Sequence, residues 1–362
     1  MKEERIRGSQ AISIIAIVCA EVIRRVNDAG FMQDGHVARL LKILLYAVST
    51  LGYPTLFFLC GLSTVACLQR SRTRLLKSAA LAVLYPYLLW SILQMAAQWL
   101  VADYKDYAAQ QFELTRLASA PVGQFWFLYA LLICQIVACI TVWPRPKKSG
   151  SALTVINGGL PLAMAVVSAA VATGSHWGVV TMTCWGLVFF LSGVLLAPRG
   201  SRHGDRAPEL RVALAAATAI AFTAAATIGQ RFFDYRDVYS LPASSLGIAA
   251  AIQIGGLLAT WRSTRWIVLI GSSWKPVYLL HVLATAVIWN ALLALGVSQP
   301  VIHVVLGGAA GLMVPMAIYP MTKRLGIAGW AGFDEPAAPL CDGTEFSGVA
   351  VRNAGKAAGS RA

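Results

Sequence analysis

Residues 40–68, LLKILLYAVSTLGYPTLFFLCGLSTVACL, carry one charged side chain, Lys42, in 29 positions. A helix crosses the hydrocarbon core of a bilayer with about 20 apolar residues, and a helix apolar on every face is one withdrawn from water. The stretch therefore reads as a membrane span, and the rest of the chain repeats it. Further apolar runs fall at roughly 8–23, 75–101, 123–143, 153–172, 178–197, 210–228, 244–261, 272–296 and 300–322. Composition agrees, since 57% of the 362 residues are hydrophobic and only 13% charged, against about 45–50% and 25% in soluble domains. A soluble enzyme, a disordered chain and a disulfide-rich secreted domain are excluded. The expected fold is all-α, a polytopic membrane helical bundle of about ten transmembrane helices.

The chain holds 30 Lys and Arg against 16 Asp and Glu, a formal charge of +14. Such an excess could suggest nucleic acid, but in a membrane protein it is topological, because Lys and Arg collect in cytoplasmic loops. With ten spans, 22 of the 30 fall on one side and 8 on the other, so both termini are expected in the cytoplasm. Met1–Arg7 is too charged for a signal peptide and lacks a small-residue cleavage site, so the first run should remain as a span. The seven cysteines have no metal-binding or redox spacing and read as helix-packing residues. Pro54 and Pro86 lie inside spans, where they should kink the axis and where neighbouring protein must satisfy the freed carbonyls. Residues 102–122 are polar with scattered aromatics and read as an outer loop with an interfacial helix. After Arg324 the composition turns to Gly, Ala, Pro and polar residues. A membrane domain over 1–324 and a disordered cytoplasmic tail over 325–362 are expected.

No Gly-x-Ser-x-Gly elbow, Walker loop, His-Glu-x-x-His or dinucleotide fingerprint occurs. Chemistry must come from polar groups in or beside the spans: Gln10, Glu21, Gln94, Gln98, Gln124, Gln135, His176, Gln253, His281, Asn290 and His303. An ionisable group at membrane depth is a functional candidate by default. Glu21 lies fourteen residues after Arg7, about 21 Å along a helix. It can pair with Arg24 or Arg25 at i+3 or i+4 spacing, or act as a base if its carboxylate is withdrawn from water. Arg70, Arg72, Arg74 and Lys77 crowd one inner loop, either to clamp phosphates or simply to orient the chain. His281 is either a helix–helix hydrogen-bonder or a working titratable group. Phe57-Phe58-Leu59-Cys60-Gly61 is echoed by Phe189-Phe190-Leu191-Ser192-Gly193, as an internal repeat or as a coincidence of apolar composition. Gly307 and Gly311 form a Gly-x-x-x-Gly pair that permits close helix contact.

In chain order, Phe57 to Gly61, the basic loop leading to Tyr85-Pro86-Tyr87-Leu88-Leu89-Trp90, Phe125-Trp126-Phe127-Leu128-Tyr129, and Gly271-Ser272-Ser273-Trp274 ahead of Tyr278-Leu279-Leu280-His281 together resemble the acyltransferase-3 family. This is a family of multi-span membrane O-acyltransferases, and the resemblance covers roughly residues 5–320. It implies a multi-pass protein of the bacterial inner membrane that takes part in exopolysaccharide or other surface polysaccharide biosynthesis. The implied reaction moves an acyl group, most simply acetyl, from a cytoplasmic thioester such as acetyl-CoA to a hydroxyl of a glycan or lipid-linked oligosaccharide. Acyl-CoA is then a co-substrate, with no bound cofactor or metal, no nucleic-acid partner, and polysaccharide assembly proteins as possible neighbours. The family's first span carries Arg, ten residues, then His; laid on that pattern, Gln10 stands at the Arg and Glu21 at the His. Its Arg-x-x-Arg before the third-span Pro-Tyr has Arg74-x-x-Lys77 as the nearest match. By the resemblance Glu21 is the expected base, with Gln10 and His281 as further catalytic candidates. Arg70, Arg72, Arg74 and Lys77 are expected to hold the donor, and Trp126 and Tyr129 to contact substrate. The alternative is a non-catalytic relative that transports the same glycan or scaffolds its assembly.

Overall fold

The computed structural model describes residues 2–32, 35–101, 121, 123–142, 164, 166–168, 171, 178–197, 207–235 and 237–334. These residues are helical throughout, without a strand, and among them nine helices are long and apolar enough to cross a membrane. The expected fifth span, 153–172, lies outside the described residues apart from five positions, as do the outer loop over 102–120 and the tail from 335 onward.

Helix α1, Lys2–Asp28, extends beyond the apolar run 8–23 at both ends. Glu3 and Glu4 at its start and Arg25 in its last turn suit the helix dipole, and Arg7 pairs with Glu3 at 2.5 Å. Its middle is buried on every side, at Ala11, Ile14, Ile17, Val18, Ala20, Val22 and Ile23. Such a helix belongs at the centre of a bundle. Around it stand α2 (His36–Leu68), α8 (Leu241–Leu258), α9 (Arg265–Ser272), α10 (Trp274–Ala294) and α11 (Pro300–Arg324). The close contact expected of Gly307 and Gly311 is present: added Cβ atoms there would meet Val22 at 3.0 Å and Val18 at 2.7 Å.

The third span is composite. Helix α3 (Arg72–Ala79) passes through a π-turn, Ala80–Leu84, into α4 (Tyr85–Val101). The Tyr85 N–H bonds to the Ala80 carbonyl, so the wide turn falls immediately before Pro86, whose ring forbids a regular bond to the preceding turn. Pro54, by contrast, sits within an unbroken α2.

Helix α5 (Trp126–Thr141) starts beside Tyr53 and Phe57 of α2 and ends where Arg72 Nη2 reaches the Val142 carbonyl at 3.5 Å. Helix α6 (Gly178–Leu196) runs parallel to α2, with Gly186 against Phe57, and Gly61 against Phe190 and Val194. Here the two Phe-rich pentads meet. A Cβ on Gly61 would sit 2.0 Å from the Phe190 carbonyl oxygen, and one on Gly193 would sit 2.1 Å from that of Phe58. The echo in the sequence is thus a reciprocal helix crossing that admits no side chain at either glycine. Helix α7 (Pro208–Gly229) packs on α8 and α2 at the periphery.

Two boundaries differ from the sequence reading. The run 272–296 is preceded by a separate helix, α9, and the chain breaks at Ser273; Pro276 then falls in the first turn of α10, where a proline is tolerated. Residues 325–334, placed in the disordered tail, instead pack back on the bundle. The Tyr85 hydroxyl donates to the Trp330 carbonyl at 2.5 Å and the Trp90 indole to the Ala331 carbonyl at 2.9 Å. The buried Phe333 stacks on Trp90 with centroids 5.6 Å apart. Lys275 Nζ donates to the Asp334 carbonyl at 3.2 Å, and the Tyr319 hydroxyl to Asp334 Oδ1 at 3.1 Å. Two aromatics and an aspartate anchor this stretch, which its glycine-rich composition conceals.

Candidate functional site

The bundle has a basic end, where Arg7, Arg70–Lys77 and Lys275 lie, and an opposite end formed by Asp28, Tyr235 and Trp289. Between them lies the ion pair of Glu21 and Arg24. Glu21 of α1 accepts a 2.8 Å charged hydrogen bond from Arg24 Nη1, the two side chains keeping 21% and 25% of their exposure. Of the two pairings open to Glu21, the helix thus takes the one at i+3. Arg24 also hydrogen-bonds Tyr235 from the loop before α8, its guanidinium carbon 5.9 Å from that ring's centroid.

His281 of α10 is wholly buried, and a Cβ on Gly311 would meet both His281 Cβ, at 3.7 Å, and Val18 of α1, one turn before Glu21, at 2.7 Å. The imidazole Nδ1 lies 2.7 Å from the Tyr278 carbonyl and 3.2 Å from that of Val277. Carbonyl oxygens only accept, so Nδ1 carries the proton and the neutral ring presents a bare lone pair at Nε2. That Nε2 is buried and has no hydrogen-bond partner among the described residues. A lone pair held in place in this way is equipped to take up a proton.

Tyr278, three residues before His281 and so on the same helical face, donates its hydroxyl to the Gln124 carbonyl in the turn Gly123–Phe125 that precedes α5. Its ring meets Phe127 edge-on at 5.4 Å. Trp126 lies 4.8 Å from Tyr53 and 6.2 Å from Phe57, centroid to centroid. Tyr53 also meets Phe127 at 5.8 Å, so Tyr53, Trp126, Phe127 and Tyr278 form one aromatic wall.

Of the residues singled out by sequence, Glu21 and His281 lie on two helices that pack together, α1 and α10, and Trp126 lies in the aromatic wall that includes Tyr278. Gln10 does not join them. It lies on the same face of α1 as Glu21, but eleven residues, about 16 Å, nearer the basic end. Tyr129 is one turn from Trp126 towards that end and pairs with Tyr87 at 5.9 Å. The quartet forms a separate surface. Arg70, Arg74 and Lys77 are exposed at the start of α3, where the Ser71 side chain caps the helix by accepting from the Thr73 N–H at 3.2 Å. Sequence reasoning gave no role to Tyr53, quoted Tyr278 only within the motif that ends at His281, and had Gln124 only as one of the polar groups of the spans. Tyr278 carried a usable signal, its i, i+3 spacing to His281; Tyr53 carried none beyond preceding Pro54. Among the described residues no three His, Cys, Asp or Glu side chains gather as a metal site.

Residues 4–320 match the family model described as an acyltransferase domain, that of the acyltransferase-3 family. The chain belongs to this family. It is a membrane acyltransferase by family and a multi-pass protein by its helices. No curated protein and no solved structure matches it.

Proposed function

We propose that this acyltransferase transfers an acyl group, most simply acetyl, from a cytoplasmic thioester to a hydroxyl of a surface or exopolysaccharide glycan, with the basic end in the cytoplasm of a bacterial inner membrane. The observation that carries the reaction is the buried, unpartnered His281 Nε2, on a ring whose Nδ1 faces two carbonyls and on a helix packed against the one that holds the Glu21–Arg24 pair. On this reading His281, rather than Glu21, accepts the proton, because a Glu21 oxygen is already engaged by Arg24 whereas Nε2 is free. The sugar oxygen attacks the thioester carbonyl as its proton passes to Nε2. The C–S bond then breaks and the proton follows to the departing sulfur, leaving an ester and a free thiol. Glu21 balances the imidazolium between the two transfers.

The basic quartet supports an acyl-CoA donor, because guanidinium groups match phosphate geometry. Arg70 stands thirteen to seventeen residues beyond Phe57 and Tyr53 of α2, about 20–26 Å along the helix. The thioester therefore has to hang on a long thin arm, as it does in coenzyme A. Mass spectrometry of the surface polysaccharide with and without the gene tests the reading. Loss of acetyl mass increments on deletion, restored by wild type and not by His281→Ala, is the expected result. Unchanged acylation on deletion refutes it and leaves the transport or scaffold alternative.

A further inference from the structure

Three groups at or near the turn Gly123–Phe125 have hydrogen-bonding capacity that nothing among the described residues uses. Gln124 is 6% exposed and its Nε2 has no partner; Ser91 is fully buried and its Oγ has none; the buried Gln94 Oε1 has none. They share one neighbourhood. Ser91 and Gln94 lie one turn apart on α4, and a Cβ on Gly123 would come within 3.1 Å of Gln94 Nε2. Gln94 thus lies against the turn whose next residue is Gln124. Gly123 has φ +49°, so it serves both the turn and the space. Tyr278 then links the Gln124 carbonyl to the helix that carries His281.

The turn opens the span Gly123–Thr141 as a short 3-10 helix. Trp126, which follows it, is level with Tyr53 and Phe57, eleven to fifteen residues before the end of α2 and about 16–22 Å from that end. A buried amide or hydroxyl without a partner forfeits its hydration for nothing, and native proteins leave few such groups. Three of them on the way to His281 match a ligand that supplies the missing donors and acceptors. All three are neutral, which suits the hydroxyls of an uncharged sugar and offers no counter-charge to a phosphate.

We propose that Ser91, Gln94 and Gln124 form the acceptor subsite, orienting an uncharged sugar so that one hydroxyl meets His281 Nε2. The proposal rests on the acyl-transfer reading above, and its test separates the two. Gln94→Leu and Gln124→Leu, singly and together in the full-length chain, are to be compared by acylation of the cell's own polysaccharide and by melting temperature in detergent. Each substitution should lower the acylation rate about three- to tenfold, the effect of one lost neutral hydrogen bond, while the melting temperature holds or rises as an unpaired amide gives way to an apolar group. A lower melting temperature makes the amides structural and overturns the subsite. Unchanged acylation means that they hold water only and also overturns it. If the wild type acylates nothing, the reaction reading fails by itself. The subsite is then decided by whether glucose, galactose or N-acetylglucosamine raises the melting temperature of the wild type but not of the double variant; no shift with any of them overturns it.

Discussion

Replacing Glu21 with Gln keeps the shape of the side chain and removes the charge that pairs with Arg24 and, on the proposed reading, serves His281. The structural consequence follows from exposure. A fully buried pair stripped of one partner costs about 3–5 kcal/mol and an exposed pair about 0–1 kcal/mol. With 21% and 25% of their exposure left, the partners fall between, at about 1–3 kcal/mol. The catalytic consequence is separate, because a preorganised charge in a closed site is worth about 2.7–4 kcal/mol in the transition state. At 1.36 kcal/mol per tenfold, that is about 10²–10³ in kcat. The double variant Glu21→Gln, Arg24→Gln distinguishes the two, since it removes the orphaned cation and should recover most of the stability without recovering activity. The assay is initial acylation rate in membrane vesicles, normalised to folded protein, beside melting in detergent. If the double variant regains wild-type turnover, Glu21 acts only by holding Arg24, and its role at His281 is refuted.

Changing Arg72 and Arg74 together to Gln should raise the donor KM tenfold or more and leave the acceptor KM unchanged, since each charge-assisted hydrogen bond is worth about 1.5–3 kcal/mol; an unaltered donor KM in a normally inserted protein reduces the quartet to a topological signal. Single cysteines at positions 147 and 105 should be labelled from opposite faces of sealed vesicles, and labelling from one face contradicts the orientation assigned to the basic loops. Gly61→Ala should destabilise the bundle by about 1–3 kcal/mol through overpacking, because the new Cβ would sit 2.0 Å from the Phe190 carbonyl oxygen; an unchanged melting temperature excludes the close α2–α6 crossing.

The spans were legible because in lipid the solvent itself selects long apolar helices, and ends such as those of α2 and α11 fall within a few residues of the runs that announced them. The pairing of the pentads was not legible. Their likeness is visible in the sequence, but only the reciprocal seating of Gly61 and Gly193 shows that it encodes a contact. Glu21 and His281 could each be picked out as rare ionisable groups, yet 260 positions separate them, and no periodicity relates α1 to α10. The turn at Gly123–Phe125 was hidden for another reason. Its residues are apolar or amide-bearing and read as the start of a span, whereas its use depends on the hydroxyl that Tyr278 brings to it.

The departure from the family's first-span pattern changes where a base has to be found. With Glu at position 21, the first span supplies a carboxylate already paired to a cation one turn away, one of its oxygens engaged by Arg24 Nη1 at 2.8 Å. It is well suited to a different task, steadying a positive charge that appears beside it. His281 provides that charge when it takes a proton, and its Nδ1 contacts to Tyr278 and Val277 fix which nitrogen does so. On the proposed reading the substitution therefore divides the work of one histidine between two residues, base on α10 and counter-charge on α1. His281→Ala should then cost the loss of a general base, about 10²–10⁴ in rate, a penalty at least as large as that of Glu21→Gln. Activity that survives His281→Ala but not Glu21→Gln would return the base to position 21.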